Sequence, residues 1–69
     1  MEVSARNSLK GTIKKIHAGA VNSEVTLEIG TGVEVTAIIT KESVDHLQLQ
    51  EGKEAIAVIK ASDVIIATE

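Results

Sequence analysis

From Glu24 to Ile39 the chain alternates. Val25, Leu27 and Ile29 are separated by Glu24, Thr26 and Glu28, and after Gly30-Thr31-Gly32 the apolar positions resume at Val33, Val35, Ala37 and Ile39. A period of two puts every second side chain on one face of an extended strand, whereas a helical stripe needs a period near 3.6. Two such runs around a glycine-flanked turn predict a β-hairpin over 24–39. Upstream, "LKGTIKKI" (9–16) predicts a strand with Leu9, Gly11 and Ile13 on one face. Ile16 falls out of that register and Gly11 interrupts the run, so a bulge or sharp bend is expected there.

The alternation ends at "TKESVDHLQLQEG" (40–52). Thr40 is a helix-capping residue, Lys41 to Gln48 tolerate helix, and Val44 and Leu47 stand three apart, which predicts one or two helical turns ending before Gly52. The remaining segment, "EAIAVIKASDVIIATE" (54–69), carries two apolar runs, 55–59 and 64–67, separated by the polar tetrad "KASD". These predict two more strands joined by a tight turn. The order is β-β-β-α-β-β in a single domain over residues 1–69. An all-β fold follows: a small five-stranded barrel like that of the oligonucleotide/oligosaccharide-binding (OB) proteins, with one short helix between strands 3 and 4.

Such a barrel is under-supplied with core. Sixty-nine residues bury a smaller share of their surface than a larger domain does, and this chain has neither cysteine nor any Phe, Tyr or Trp. Disulfides and thiolate zinc sites are therefore excluded. His17 and His46, too far apart for a metal-ligand pair, are expected on the surface, at a strand end and in the short helix. Meanwhile Ile38 and Ile39, Ile56 and Val58 against Ala55, Ala57 and Ile59, and Ile65 and Ile66 make both faces of their segments apolar. One small barrel covers only one face, so these residues predict a homo-oligomer.

Several functions are excluded or disfavoured by composition. No apolar run is long enough for a membrane span, and Met-Glu-Val-Ser does not open like a secretion signal, which together with the missing cysteines favours the cytoplasm. A net charge of −3 without aromatic rings argues against a nucleic-acid-binding OB module, which needs basic grooves and stacking platforms. The ten acids are scattered, no nucleophile–base motif or phosphate-binding glycine loop is present, and catalysis is not expected. An anion site is better supplied. Ser4 and Arg6 share one side of an extended segment, "KAS" offers Lys60, the Ala61 N–H and the Ser62 hydroxyl, and Thr40 offers another hydroxyl. A tetrahedral dianion needs such cationic and neutral donors converging, since its desolvation is otherwise prohibitive. The bland alternative is ordinary turn chemistry at Ser62-Asp63 and a rim ion pair between Arg6 and Glu2.

The same segments carry a resemblance. "SARNSLKGTI" (4–13), "GAVNSEV" (19–25), "TAIITKESV" (36–44) and "EGKEAIAVIKASDVII" (51–66) resemble the signature segments of the molbindins, the Mop domains of the TOBE superfamily. The resemblance implies molybdate or tungstate as the bound ligand, held at subunit interfaces of a hexamer built as a trimer of dimers. It implies storage or homeostasis of the oxyanion without catalysis, without an organic cofactor, and without nucleic-acid or membrane partners. It assigns the main site to Ser4, Arg6, Lys60, Ala61 and Ser62, with Thr40 contributed across the dimer interface. A second oxyanion site is associated with Gly19, Ala20, Val21 and Asn22 through backbone amides. The competing role is a ligand-sensing or oligomerisation module that acts through a partner protein.

Overall fold

The computed structural model describes residues 4–69. Four strands, β1 (Asn7–Ala18), β2 (Asn22–Gly30), β3 (Val33–Thr40) and β4 (Glu54–Ile59), form one antiparallel sheet in the order β3-β2-β1-β4. The short helix α1 (Lys41–His46) lies between β3 and β4, as the sequence predicts. The expected hairpin is β2–β3, with Leu27 opposite Val35 and Val25 opposite Ala37, and its turn places Gly32 at φ +74°. His17 and His46 are exposed, in β1 and at the end of α1.

β1 curls the sheet. Its first half pairs with β4, from Asn7 opposite Ile59 to Thr12 opposite Glu54. Its second half pairs with β2, from Thr12 opposite Glu28 to Ala18 opposite Ser23, and the register slips between Ile13 and Lys15. That bulge is the irregularity expected near Gly11 and Ile16. A bulge bends its strand, which lets one strand serve two neighbours at an angle. Gly11 permits the close crossing, because a Cβ there would sit 2.3 Å from the Glu28 carbonyl oxygen. The loop before β4 braces the bend: Ile13 N–H donates to the Lys53 carbonyl (2.9 Å) and Gly52 N–H to the Ile13 carbonyl (2.8 Å). The Ile16 N–H, just past the bulge, donates to the Glu51 carboxylate (3.1 Å).

The concave face holds the core. Among the described residues the buried apolar side chains are Ile13, Val25 and Leu27, with Ile16, Ile29, Ile39, Val44, Leu49, Ala55 and Ala57 packed against them. The curl stops short of closure. β3 and β4 keep free edges, and between them lies an apolar cleft of about 180 Å³ lined by Val35, Ala37, Ile39, Ala55 and Ala57.

The fifth strand expected at 64–67 is absent from this sheet. "KASD" does turn the chain, as a 3₁₀ turn over Ala61–Asp63, but residues 64–69 then run exposed and unpaired. The four strands therefore make a curled half-barrel instead of the expected five-stranded barrel. The reason is physical: a strand exists only by pairing, and the tail's own chain gives it no ladder partner.

Candidate functional site

The β1–β4 ladder ends at Asn7 opposite Ile59. Arg6 directly precedes that last pair on the β1 side and Lys60 directly follows it on the β4 side, so the two segments leave the ladder from the same end of the sheet. Ser4 and Arg6 are exposed and Ala5 between them is half-buried, but the chain bends at both Ser4 and Arg6 before β1 begins, in place of the straight extended segment the sequence predicts. Lys60 is extended (φ −64°, ψ 137°), and the turn that follows closes with Asp63 N–H donating to the Lys60 carbonyl (2.9 Å) and Val64 N–H to the Ala61 carbonyl (3.3 Å). A helical turn leaves its first N–H groups without internal acceptors, here those of Ala61 and Ser62. Two segments that are far apart in sequence thus start from one end of the sheet.

Their electrostatics are unbalanced. Among the described residues the ion pairs are Lys10–Glu54 (3.5 Å) and Lys14–Glu28 (4.0 Å), and neither Arg6 nor Lys60 takes part in one. Glu2, the acid named above as a partner for Arg6, lies outside the described residues. Two cations at the same end of the sheet, with hydroxyls and open N–H groups on their segments, supply donors that suit an anion, and the Asp63 carboxylate in the same turn is the acid nearest them in sequence.

Thr40 is elsewhere. It pairs with Asn22 at the far end of the sheet, beyond the Ala18 end of β1, whereas Arg6 and Lys60 sit at the Asn7 end. The twelve residues of β1 separate the two ends, in a molecule 34 Å long. One chain therefore does not bring Thr40 to Arg6 and Lys60. Its hydroxyl caps α1, accepting from Ser43 N–H (3.0 Å) and donating to Ser43 Oγ (2.7 Å). The residues that do adjoin Thr40 are those of the Gly19–Asn22 turn, tied to it by Lys41 N–H donating to the Val21 carbonyl (2.8 Å). Within that turn Gly19 N–H is committed to the Asn22 carbonyl (2.8 Å), which leaves the amides of Ala20 and Val21 as its outward donors.

Sequence reasoning passed over two residues. Glu51 caps the N–H exposed by the bulge, and the Asn7 side-chain amide donates to the Ile59 carbonyl (3.3 Å). Neither partner is within 30 positions, so no local spacing reveals them.

Comparison with known proteins agrees with this geometry. The TOBE domain family model matches residues 3–66. The chain is 48% identical over 66 residues to molybdenum-pterin-binding protein 3 of Clostridium pasteurianum, covering 96% of this chain and 97% of that protein. Its fold is similar to the solved structure of a molybdate-binding protein from Sporomusa ovata, with a TM-score of 0.91, 34% identity, and coverage of 99% of this chain and 100% of that one. It is also similar to the cytoplasmic molybdate-binding protein ModG in a form with molybdate bound, at a TM-score of 0.90 and 55% identity, covering 94% of this chain and 46% of ModG.

Proposed function

The chain belongs to the TOBE domain family, in its Mop (molbindin) branch, and on that premise we propose that this molybdate-binding, non-catalytic protein holds its anion between chains. Ser4, Arg6, Lys60, Ala61 and Ser62 of one chain form the cationic half of the site, and Thr40 of a second chain adds a donor across the interface. The observation that supports this reading is that Arg6 and Lys60 both adjoin the Asn7–Ile59 pair that ends the β1–β4 ladder, with no carboxylate paired to either among the described residues. A dianion there relieves the repulsion of two adjacent cations and gains charge-assisted hydrogen bonds from both. Gly19, Ala20, Val21 and Asn22 hold a second oxyanion through the Ala20 and Val21 amides.

The ligand is the oxyanion. Several relatives are named for a molybdenum-pterin, yet this chain has no aromatic residue on which a pterin ring could stack. Tungstate, a tetrahedral dianion like molybdate, fits the same donors. Sulfate and phosphate are rejected by cavity size and donor placement.

Assembly completes the fold. The apolar cleft between β3 and β4 lacks one strand, and Val64, Ile65 and Ile66 are 45%, 90% and 83% exposed on a tail without a partner. Residues 64–67 of a second copy fill that gap and close a five-stranded barrel, within a hexamer built as a trimer of dimers. The role is storage or homeostasis of the anion in the cytoplasm, the compartment named for ModG.

Isothermal titration against molybdate, tungstate, sulfate, phosphate and a free pterin, with native mass spectrometry in parallel, tests this reading. The expected result is a hexamer that binds molybdate and tungstate, takes sulfate and phosphate far more weakly, and ignores the pterin. Arg6→Ala and Lys60→Ala should each weaken molybdate by at least about thirtyfold, the lower end for truncating one partner of a desolvated charge pair. Equal affinity for sulfate would sink the selectivity. A monomer indifferent to molybdate would overturn both the site and the assembly.

A further inference from the structure

Asn7 stands where the two halves of the anion cluster join. It follows Arg6 directly in the chain, and its half-buried side-chain amide donates to the Ile59 carbonyl at 3.3 Å. That carbonyl and the Lys60 N–H belong to the same planar trans peptide unit, so fixing one fixes the direction of the other. Lys60 is also the residue from which the chain leaves the ladder and enters the Ala61–Asp63 turn. Without a side-chain tie, the end of a two-strand ladder is where pairing frays.

We infer that Asn7 is a positioning residue for the oxyanion site: its amide sets the Ile59–Lys60 peptide plane and so holds Lys60 and the Ala61 and Ser62 N–H groups in place across from Arg6. Asn7 need not touch the ligand. It acts on the first-contact donors through a backbone carbonyl, as outer partners of a bound ion do. The chemistry of the side chain is specific to the task. The amide is neutral, so it orients the carbonyl without adding a charge beside Arg6. An aspartate at this position has no N–H for the carbonyl, and its negative charge pairs with Arg6 and competes with the dianion. This role rests on the oxyanion reading above.

The test compares Asn7→Ala and Asn7→Asp with the unsubstituted full-length protein in its assembled form. Molybdate affinity is measured by titration, assembly by native mass spectrometry, and the Lys60 amide by NMR shift and hydrogen exchange in the ligand-free state. Asn7→Ala is expected to weaken molybdate roughly tenfold or more, as loss of outer partners does for bound ions, with the assembly and the ligand-free unfolding midpoint unchanged. The Lys60 amide should shift and exchange faster, and Asn7→Asp should bind more weakly than Asn7→Ala. Unchanged affinity, or a loss that only tracks dissociation of the assembly, would overturn the role. So would an unchanged Lys60 amide, a measurement available even if a variant assembles poorly. Failure of the unsubstituted protein to take molybdate would overturn the oxyanion reading itself and this role with it, and that result is visible before any variant is made.

Discussion

At the scale of single residues, the sites of greatest consequence are small or polar side chains whose importance is set by what approaches them. Gly11 is the clearest case. A methyl group there meets the Glu28 carbonyl oxygen at 2.3 Å and its carbon at 2.9 Å, both backbone atoms that move only if the strand crossing opens. Gly11→Ala should therefore cost about 1–3 kcal/mol, the usual range for overpacking. Urea unfolding of the assembled protein would read this as a lower midpoint, and an unchanged midpoint would mean that the β1–β2 crossing is looser than its geometry implies. Arg6 and Lys60 show the opposite logic. Both side chains are exposed and ordinary taken singly, and the chemistry proposed for them arises from leaving the same end of the ladder with no ion pair to either among the described residues. The sequence displays both residues, while their adjacency depends on a pairing between strands more than 40 positions apart.

At the scale of elements, α1 is six residues long and owes its existence to its ends. Helices this short are unstable alone. Thr40 supplies the cap by accepting from Ser43 N–H, and Lys41 N–H ties the helix start to the Val21 carbonyl in the β1–β2 turn. Thr40→Ala should cost about 1 kcal/mol, the typical value of a lost N-cap, and Thr40→Ser should restore it, both measurable by denaturant unfolding. The single hydroxyl proton of Thr40 goes to Ser43 Oγ in the isolated chain, so donating across the interface requires that proton to turn from Ser43 to the anion, and Thr40→Ala removes cap and donor together. If Thr40→Ala leaves molybdate affinity unchanged while lowering stability, the cap is its whole function. The hairpin, the bulge and the helix were legible in the sequence because each rests on local rules: alternation, a glycine in a strand, a capping threonine ahead of helix formers. The fifth strand was not, because its composition says only that it is extended and apolar, and pairing is decided elsewhere.

At the scale of the molecule, the chain leaves much apolar surface exposed. Its accessible surface is 5566 Å² for 7.3 kDa, against roughly 4,200 Å² for a compact monomer of that mass. The excess is apolar where it is most conspicuous: Ile38, Ile65 and Ile66 are 69%, 90% and 83% exposed. Deleting residues 64–69 should therefore leave an aggregation-prone monomer without molybdate binding, because the cleft between β3 and β4 stays open in every copy. Ile65→Glu with Ile66→Glu offers a gentler version of the same test, keeping the chain length while disfavouring burial of the tail. A truncated chain that still assembles and binds molybdate on native mass spectrometry would exclude strand exchange through this cleft.

What the sequence determined by itself is the kind of fold and the kind of ligand. Alternation dictates strands, small aliphatic residues on both faces predict association, and the signature segments around Arg6 and Lys60 point to an oxyanion. Only the tertiary structure decided which donors meet. It started the Ser4–Arg6 and Lys60–Ser62 segments from one end of the sheet, sent Thr40 to the opposite end with Gly19–Asn22, and left the last apolar run outside the sheet. The physical reason is that propensity and pattern act over a few residues, whereas strand partners are chosen by long-range ladders. Here one bent strand, β1, chooses them by dividing its length between β4 and β2.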